Sequence, residues 1–189
     1  MEGGSARVRP DDQAIVFTPF AEHEPGLILS LLSCSYAPYL ALDPQASQAW
    51  PADWAAYDCE VWEHPGTVGA CGFVTCLAGQ PIGLASWDPR GQPTGVIGHN
   101  CVLPAFQGRG YGTTQIRRVL DILRARGFEQ VRVTTGDHPF FLPAQRMYAS
   151  CGFREIARGY RDPRVTLGMI DYLLALPSNK PDTTSATHD

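Results

Sequence analysis

Lysine is nearly absent from this chain: a single one, Lys180, occurs in 189 residues. Without it no P-loop can be written, because Gly-x-x-x-x-Gly-Lys-[Ser/Thr] needs a lysine at the phosphates. Basic runs are missing as well. Lysine plus arginine number 15 against 19 acidic residues, a formal net charge of −4, and the pI is near 5.7, so no face for nucleic acid is expected. Six cysteines (Cys34, Cys59, Cys71, Cys76, Cys101, Cys151) form no C-x-x-C pair and no zinc-ligand spacing, so no metal is expected. Cys71 and Cys76, in one apolar stretch, read as small buried residues. No stretch approaches the ~20 apolar residues of a membrane span, and no charged-then-apolar leader opens the chain. A reducing cytoplasm and no membrane partner are the expectation. The dinucleotide fingerprint Gly-x-Gly-x-x-Gly fails too: Gly108 and Gly110 could open it, but Thr113 stands at the third glycine.

Hydrophobic residues make up 44% of the chain, enough for a core, and the length suits one domain. The patterning predicts a flexible N-terminus over residues 1–12, a single domain over 13–176, and a disordered polar tail over 177–189. Ala14 to Phe17 reads as a strand closed by Pro19. Pro25 to Leu32 reads as a helix with Leu27, Ile28, Leu31 and Leu32 on one face. From Ser35 to His64 the pattern turns irregular and aromatic, with a short helix around Asp53 to Glu63. Gly72 to Leu77 and Pro81 to Trp87 read as strands paired about Ala78-Gly79-Gln80, and Gly95 to Val102 as the next strand. A helix over Thr113 to Arg126, a strand over Gln130 to Thr135 and a helix over Pro143 to Cys151 follow. A last hairpin, Phe153 to Tyr160 and Val165 to Leu174, turns about Arg161 to Arg164.

The stretch Val102-Leu103-Pro104-Ala105-Phe106-Gln107-Gly108-Arg109-Gly110-Tyr111-Gly112 organises the rest. The apolar strand stops at Pro104, and a glycine-spaced loop follows. Next comes an amphipathic helix with Ile116, Val119, Leu120 and Leu123 at i, i+3, i+4, i+7, stopped by Gly127. Strand, glycine loop and helix start bring unpaired backbone N–H groups and a positive helix end to one place, which suits an anion such as phosphate.

Gln107-x-x-Gly110-x-Gly112, just past a Val-x-Pro strand end, resembles the acetyl-CoA signature Gln/Arg-x-x-Gly-x-Gly/Ala of the GNAT superfamily of acyl-CoA-dependent N-acyltransferases. Ala144-x-x-Met147-Tyr148-x-x-x-Gly152-Phe153 is similar to that family's second element, Asn-x-x-Ala-x-x-Leu-Tyr-x-x-x-Gly-Phe, with Phe141 in place of the asparagine. The resemblance covers roughly Ala14 to Leu174. It implies an α/β fold with a mixed, mostly antiparallel sheet of about seven strands, about four flanking helices and a parted central strand pair.

It also implies an N-acetyltransferase that moves an acetyl group from acetyl-CoA to a primary amine by direct transfer in a ternary complex, without a metal. The competing reading is a non-catalytic acyl-CoA-binding or regulatory module on the same fold. In the catalytic reading Cys101, Val102 and Leu103 line the pantetheine, with the Val102 N–H at the thioester oxygen. Gln107, Gly108, Arg109, Gly110, Tyr111, Gly112 and Thr113 hold the pyrophosphate, though Arg109 is equally a solvated loop charge. Tyr148 is the acid for the departing thiolate. His99 is a candidate base and Asn100 a group that bonds substrate or orients a water; Asp58, Glu60 and Glu63 are outside candidates for the base. A covalent relay through Cys101 is a further alternative. The segment Trp50, Asp53, Trp54, Tyr57, Asp58, Glu60 is either an acceptor wall or a roof over the core. The acceptor and the acyl-chain preference stay open, and the family's habit leaves room for a homodimer.

Overall fold

The structure, a computed structural model, describes residues 14–161 and 168–177. The expectations for residues 1–12, for the turn beyond Arg161 and for the tail after Pro177 lie outside the described residues. The strands are β1 (Ile15–Pro19), β2 (Gly72–Leu77), β3 (Gln80–Asp88), β4 (Thr94–Val102), β5 (Gln130–Gly136), β6 (Arg154–Arg161) and β7 (Gly168–Ala175). The helices are α1 (Leu27–Leu40), α2 (Pro44–Glu63), α3 (Tyr111–Ala125) and α4 (Leu142–Ser150). The strands form one seven-stranded sheet in the order β1-β2-β3-β4-β5-β7-β6. β4 and β5 run parallel, whereas β1–β2, β5–β7 and β6–β7 are antiparallel.

The chain forms two compact units: the described part of Met1–Ala85 with His99–Gly112, and Ser86–Gly98 with the described part of Thr113–Asp189. In the first unit, Ala78 and Gly79 both take positive φ (52° and 75°), the geometry of a type I′ turn, and so join β2 to β3 as a tight hairpin. α1 and α2 pack on this hairpin through Phe20, Ile28, Leu31, Leu32, Trp54, Val61, Val74, Leu84 and Cys101. Fully burying each of the larger aliphatic chains stabilises by ~1.5–3 kcal/mol.

Both helices outrun what periodicity predicts. α1 runs on to Leu40 through Pro38, which lies inside the helix near its end and gives up one i→i−4 bond, so the sequence reads as stopping earlier than the helix does. α2 spans twenty residues and includes the aromatic stretch that reads as irregular in sequence. Its start is fixed by Asp43, whose Oδ1 accepts from the Gln45 and Ala46 N–H groups at 3.0 Å each, with Pro44 in the first turn. Tyr39 donates from its hydroxyl to the other carboxylate oxygen at 2.7 Å.

α1 lacks a cap of its own, since its N-cap is Gly26 at φ +90°. Asp58, from α2, supplies one. Its carboxylate accepts from Gly26 N–H (2.7 Å), Ile28 N–H (3.0 Å), Leu29 N–H (3.2 Å) and the Trp62 indole N–H (3.2 Å). The two helices are therefore locked by one buried side chain.

In the second unit α3 buries Ile116, Val119, Leu120 and Leu123, the face its spacing predicts, and Gly127 ends it at φ +81°. β5 alternates as expected, with Val131 and Val133 buried. β7 lies between β5 and β6. There Asp171 is buried and accepts from Arg132 and Thr134 on β5, a pairing that no local pattern announces.

Candidate active site

The site begins where β4 loses its parallel neighbour. The register with β5 runs Thr94↔Gln130, Gly95↔Val131, Val96↔Arg132, three residues of a nine-residue strand. Beyond Val96 the strand continues to Val102, and the Leu103 N–H still pairs with the Ile82 carbonyl of β3 at 2.8 Å. The parted central pair is thus present.

Past Leu103 the chain makes one 3-10 turn, Pro104–Phe106, in which Phe106 N–H donates to Leu103 O at 2.8 Å. Gln107 then reaches back, and its side-chain amide donates to the Val102 carbonyl at 2.8 Å. Gly108 and Gly110 adopt φ +76° and +83°, conformations that L side chains resist, and a Cβ at either would meet open space. At these two positions the loop therefore exposes backbone that carries no side chain. Arg109 sits with its guanidinium 6.0 Å from the Phe106 ring centre. Tyr111 and Gly112 then open α3, followed by Thr113, all half-buried.

An anion fits this place. The first N–H groups of a helix have no carbonyl one turn behind them, and α3 carries no acidic residue in its first turn to repel a phosphate.

Upstream on β4, His99 is half-buried and its ring lies 4.7 Å from the Tyr57 ring of α2, tilted by 48°. Burial holds its imidazole below the ordinary histidine value, and the Asp53 carboxylate on α2 pulls in the opposite direction. Asn100 is half-buried, and its carbonyl accepts from the Tyr36 hydroxyl of α1 at 3.2 Å.

Cys101 is buried in the core cluster, and desolvation pushes its thiol up to about 11. A thiol held protonated is no nucleophile at neutral pH, so the arrangement argues against a relay through Cys101.

The second unit carries Tyr148 on α4. Its ring is buried, 5.8 Å from that of Phe153 and 6.0 Å from that of Tyr172. Gly152, at φ +91°, lets the chain turn so that the Phe153 N–H closes on the Tyr148 carbonyl at 3.1 Å. Phe141, in the place of the usual asparagine, is buried against Phe140 with ring centres 5.0 Å apart.

His99 to Leu103 and Gln107 to Gly112 thus belong to the first unit, and Thr113 and Tyr148 to the second. Two residues of the aromatic segment have other work. Asp58 caps α1, and Trp54 lies in the core, its ring 5.5 Å from Tyr36 and 5.8 Å from Trp50. Glu60 and Glu63 are exposed. The relation of Asp53 and Tyr57 to His99 escapes sequence reading, although their i, i+4 spacing on one helix is a usable signal. Among the described residues no group of three or more metal-ligating side chains gathers, and no helix is long and apolar enough to cross a membrane.

The fold has close parallels among solved structures. A GNAT-family protein from Desulfovibrio desulfuricans is 16% identical with a TM-score of 0.65, covering 86% of this chain and 98% of its own. The NatC complex bound to Gag peptide and CoA contains a chain that is 16% identical, TM-score 0.60, covering 86% and 99%. An IAA acetyltransferase from Bacillus cereus is 22% identical, TM-score 0.56, with the same shares of 86% and 99%. The sequence matches no curated protein. A sequence model of the Acetyltransferase (GNAT) family, however, matches residues 36–153, which take in α2, the glycine loop, Tyr148 and Gly152-Phe153. With that match over more than half of its length, this chain belongs to the GNAT family of acetyltransferases.

Proposed function

We propose that this acetyltransferase moves an acetyl group from acetyl-CoA to a primary amine, by direct transfer while both substrates are bound. The observation that carries the reading is the Pro104–Gly112 loop, whose two left-handed glycines leave open space where a side chain would stand, beside the start of α3. The CoA bound to the NatC neighbour supports the same coenzyme here.

In this reading Gln107 to Gly112 and Thr113 hold the pyrophosphate, and Cys101 to Leu103 lie along the pantetheine. The Val102 N–H faces the thioester oxygen and stabilises the negative charge that grows there. The amine nitrogen attacks the thioester carbon as a neutral group, although a free alkylamine titrates near ~10. His99, neutral because of its burial, accepts the proton that the nitrogen gives up. As the carbon–sulfur bond breaks, Tyr148 donates its phenolic proton to the departing thiolate, so charge and protons balance. Asn100 bonds the acceptor or a water. The buried, protonated Cys101 supports direct transfer over a covalent relay.

The test is thiol release from acetyl-CoA with a panel of primary amines. Turnover that falls at least ~100-fold in Tyr148→Phe, with coenzyme affinity retained, is the expected result. Binding of acetyl-CoA without turnover across a broad panel would remove the transfer reading.

A further inference from the structure

We propose that Asp53, one helical turn ahead of the Tyr57 ring that rests on His99, is the anion that draws an aliphatic ammonium to the imidazole, so that alkylamines are preferred over arylamines. The inference rests on the reading of His99 as base and adds the class of acceptor.

Asp53 and Tyr57 stand at i and i+4 on α2, the spacing that places two side chains on one helix face. Tyr57 lies 4.7 Å from the His99 ring, which fixes that face toward β4. Asp53 is exposed at the mouth of this face, whereas His99 is half-buried. Trp50, one turn earlier, is also half-buried, with its ring 5.8 Å from Tyr36.

An amine that titrates near ~10 arrives protonated. It must pass from water to the edge of a site whose imidazole is kept neutral by desolvation. A cation gains nothing from such a surface unless an anion and aromatic faces accompany it, and Asp53 and Tyr57 provide both.

Of the other elements in this unit, α1 brings the Tyr36 phenol to the Asn100 backbone carbonyl, while Pro81 to Ala85 of β3 carry no titratable side chain. Asp53 is the group whose charge is felt at His99. An arylamine is neutral at pH 7 and draws no benefit from that charge.

The test needs no turnover. The His99 ring signal is assigned by its loss in His99→Gln, which singles it out from the other four of five histidines. It is then followed by NMR in the full chain as n-butylammonium chloride is added at pH 7, with aniline and n-butanol as controls. The expected result is a saturable shift with butylammonium alone, weakened roughly tenfold in Asp53→Asn and restored in Asp53→Glu. A pH titration of the same signal is expected to show a lower midpoint in Asp53→Asn than in the parent.

Butylammonium binding and a midpoint that are both unchanged in Asp53→Asn would overturn the proposal. If the ammonium response is present but acetyl-CoA supports no transfer, the transfer reading falls and the ammonium site at Asp53 stands without an acceptor role. If transfer occurs and Asp53→Asn lowers kcat/KM for alkyl and aryl amines by the same factor, the reverse holds.

Discussion

Replacing Asp58 by alanine removes one carboxylate and strands four donors. Three are backbone N–H groups at the start of α1 (Gly26, Ile28, Leu29) and the fourth is the Trp62 indole, bonded at 2.7 to 3.2 Å. The loss of a helix cap alone costs ~1 kcal/mol. The Ile28 donor is buried together with its partner, and a buried donor left without an acceptor adds ~1–3 kcal/mol. The sum is roughly 3 kcal/mol, or about 6–12 °C in Tm for a chain of this size. Asp58→Asn should cost about half as much, roughly 1.5 kcal/mol. Its amide oxygen can keep Ile28 and Leu29, which share Oδ1, while its NH2 opposes the Gly26 and Trp62 donors on the other side. Urea unfolding followed by tryptophan fluorescence, with Trp62 as a direct reporter, gives both values. An alanine variant within ~0.5 kcal/mol of the parent would show that α1 does not depend on α2 for its cap.

Cys101→Ala should leave kcat within about threefold of the parent if no acyl group passes through that sulfur. In native protein a maleimide should label exposed Cys34 and Cys59 while sparing Cys101, and Cys101 labelling at the rate of the exposed pair would contradict its burial. Gly110→Ala places an L side chain at φ +83°, a strain of roughly 1–2 kcal/mol, so the KM for acetyl-CoA should rise about tenfold with kcat little changed. The acid limb of the kcat/KM profile should fall below ~6.5, because burial lowers the His99 value. The same shift carries a stability sign. Below the unfolded value of ~6.5 the unfolded chain takes up a proton that folded His99 refuses, so this contribution is fully present above ~6.5 and stability should drop as pH falls from there toward the folded value. An Asp53→Asn variant whose acid limb does not move would argue that His99 is not the titrating group.

Legibility from the sequence varied by region, for physical reasons. α3 and β5 could be read because their core-facing residues repeat at one clean period, Ile116-Val119-Leu120-Leu123 and Val131-Val133. The glycine loop could be read because its conformation demands glycine, and Gly108 and Gly110 take the positive φ that the spacing implies. α2 resisted. Its helix is held by end chemistry and cross-helix bonds, Asp43 at the start and Asp58 in the middle, while Pro51 and eight aromatic or acidic side chains blur its periodicity. The Asp53–Tyr57–His99 group stayed hidden even though Asp53 and Tyr57 fall within the helix expected over Asp53 to Glu63, because nothing local says which strand that helix face meets. The Asp171 pairing on β7 was beyond reach, since its partners lie 37 and 39 residues away.

The bond from the Gln107 amide to the Val102 carbonyl has a consequence for kinetics. A turn stapled to the strand that feeds it holds its shape without help from a guest, so the conformational entropy of that turn is lost on folding rather than on association. In the proposed reading, the nucleotide end of the coenzyme meets a seat already cast. Because the staple ends on the peptide that follows Val102, any slackening at the seat would, in that same reading, be felt at once at the place proposed for the acyl carbon.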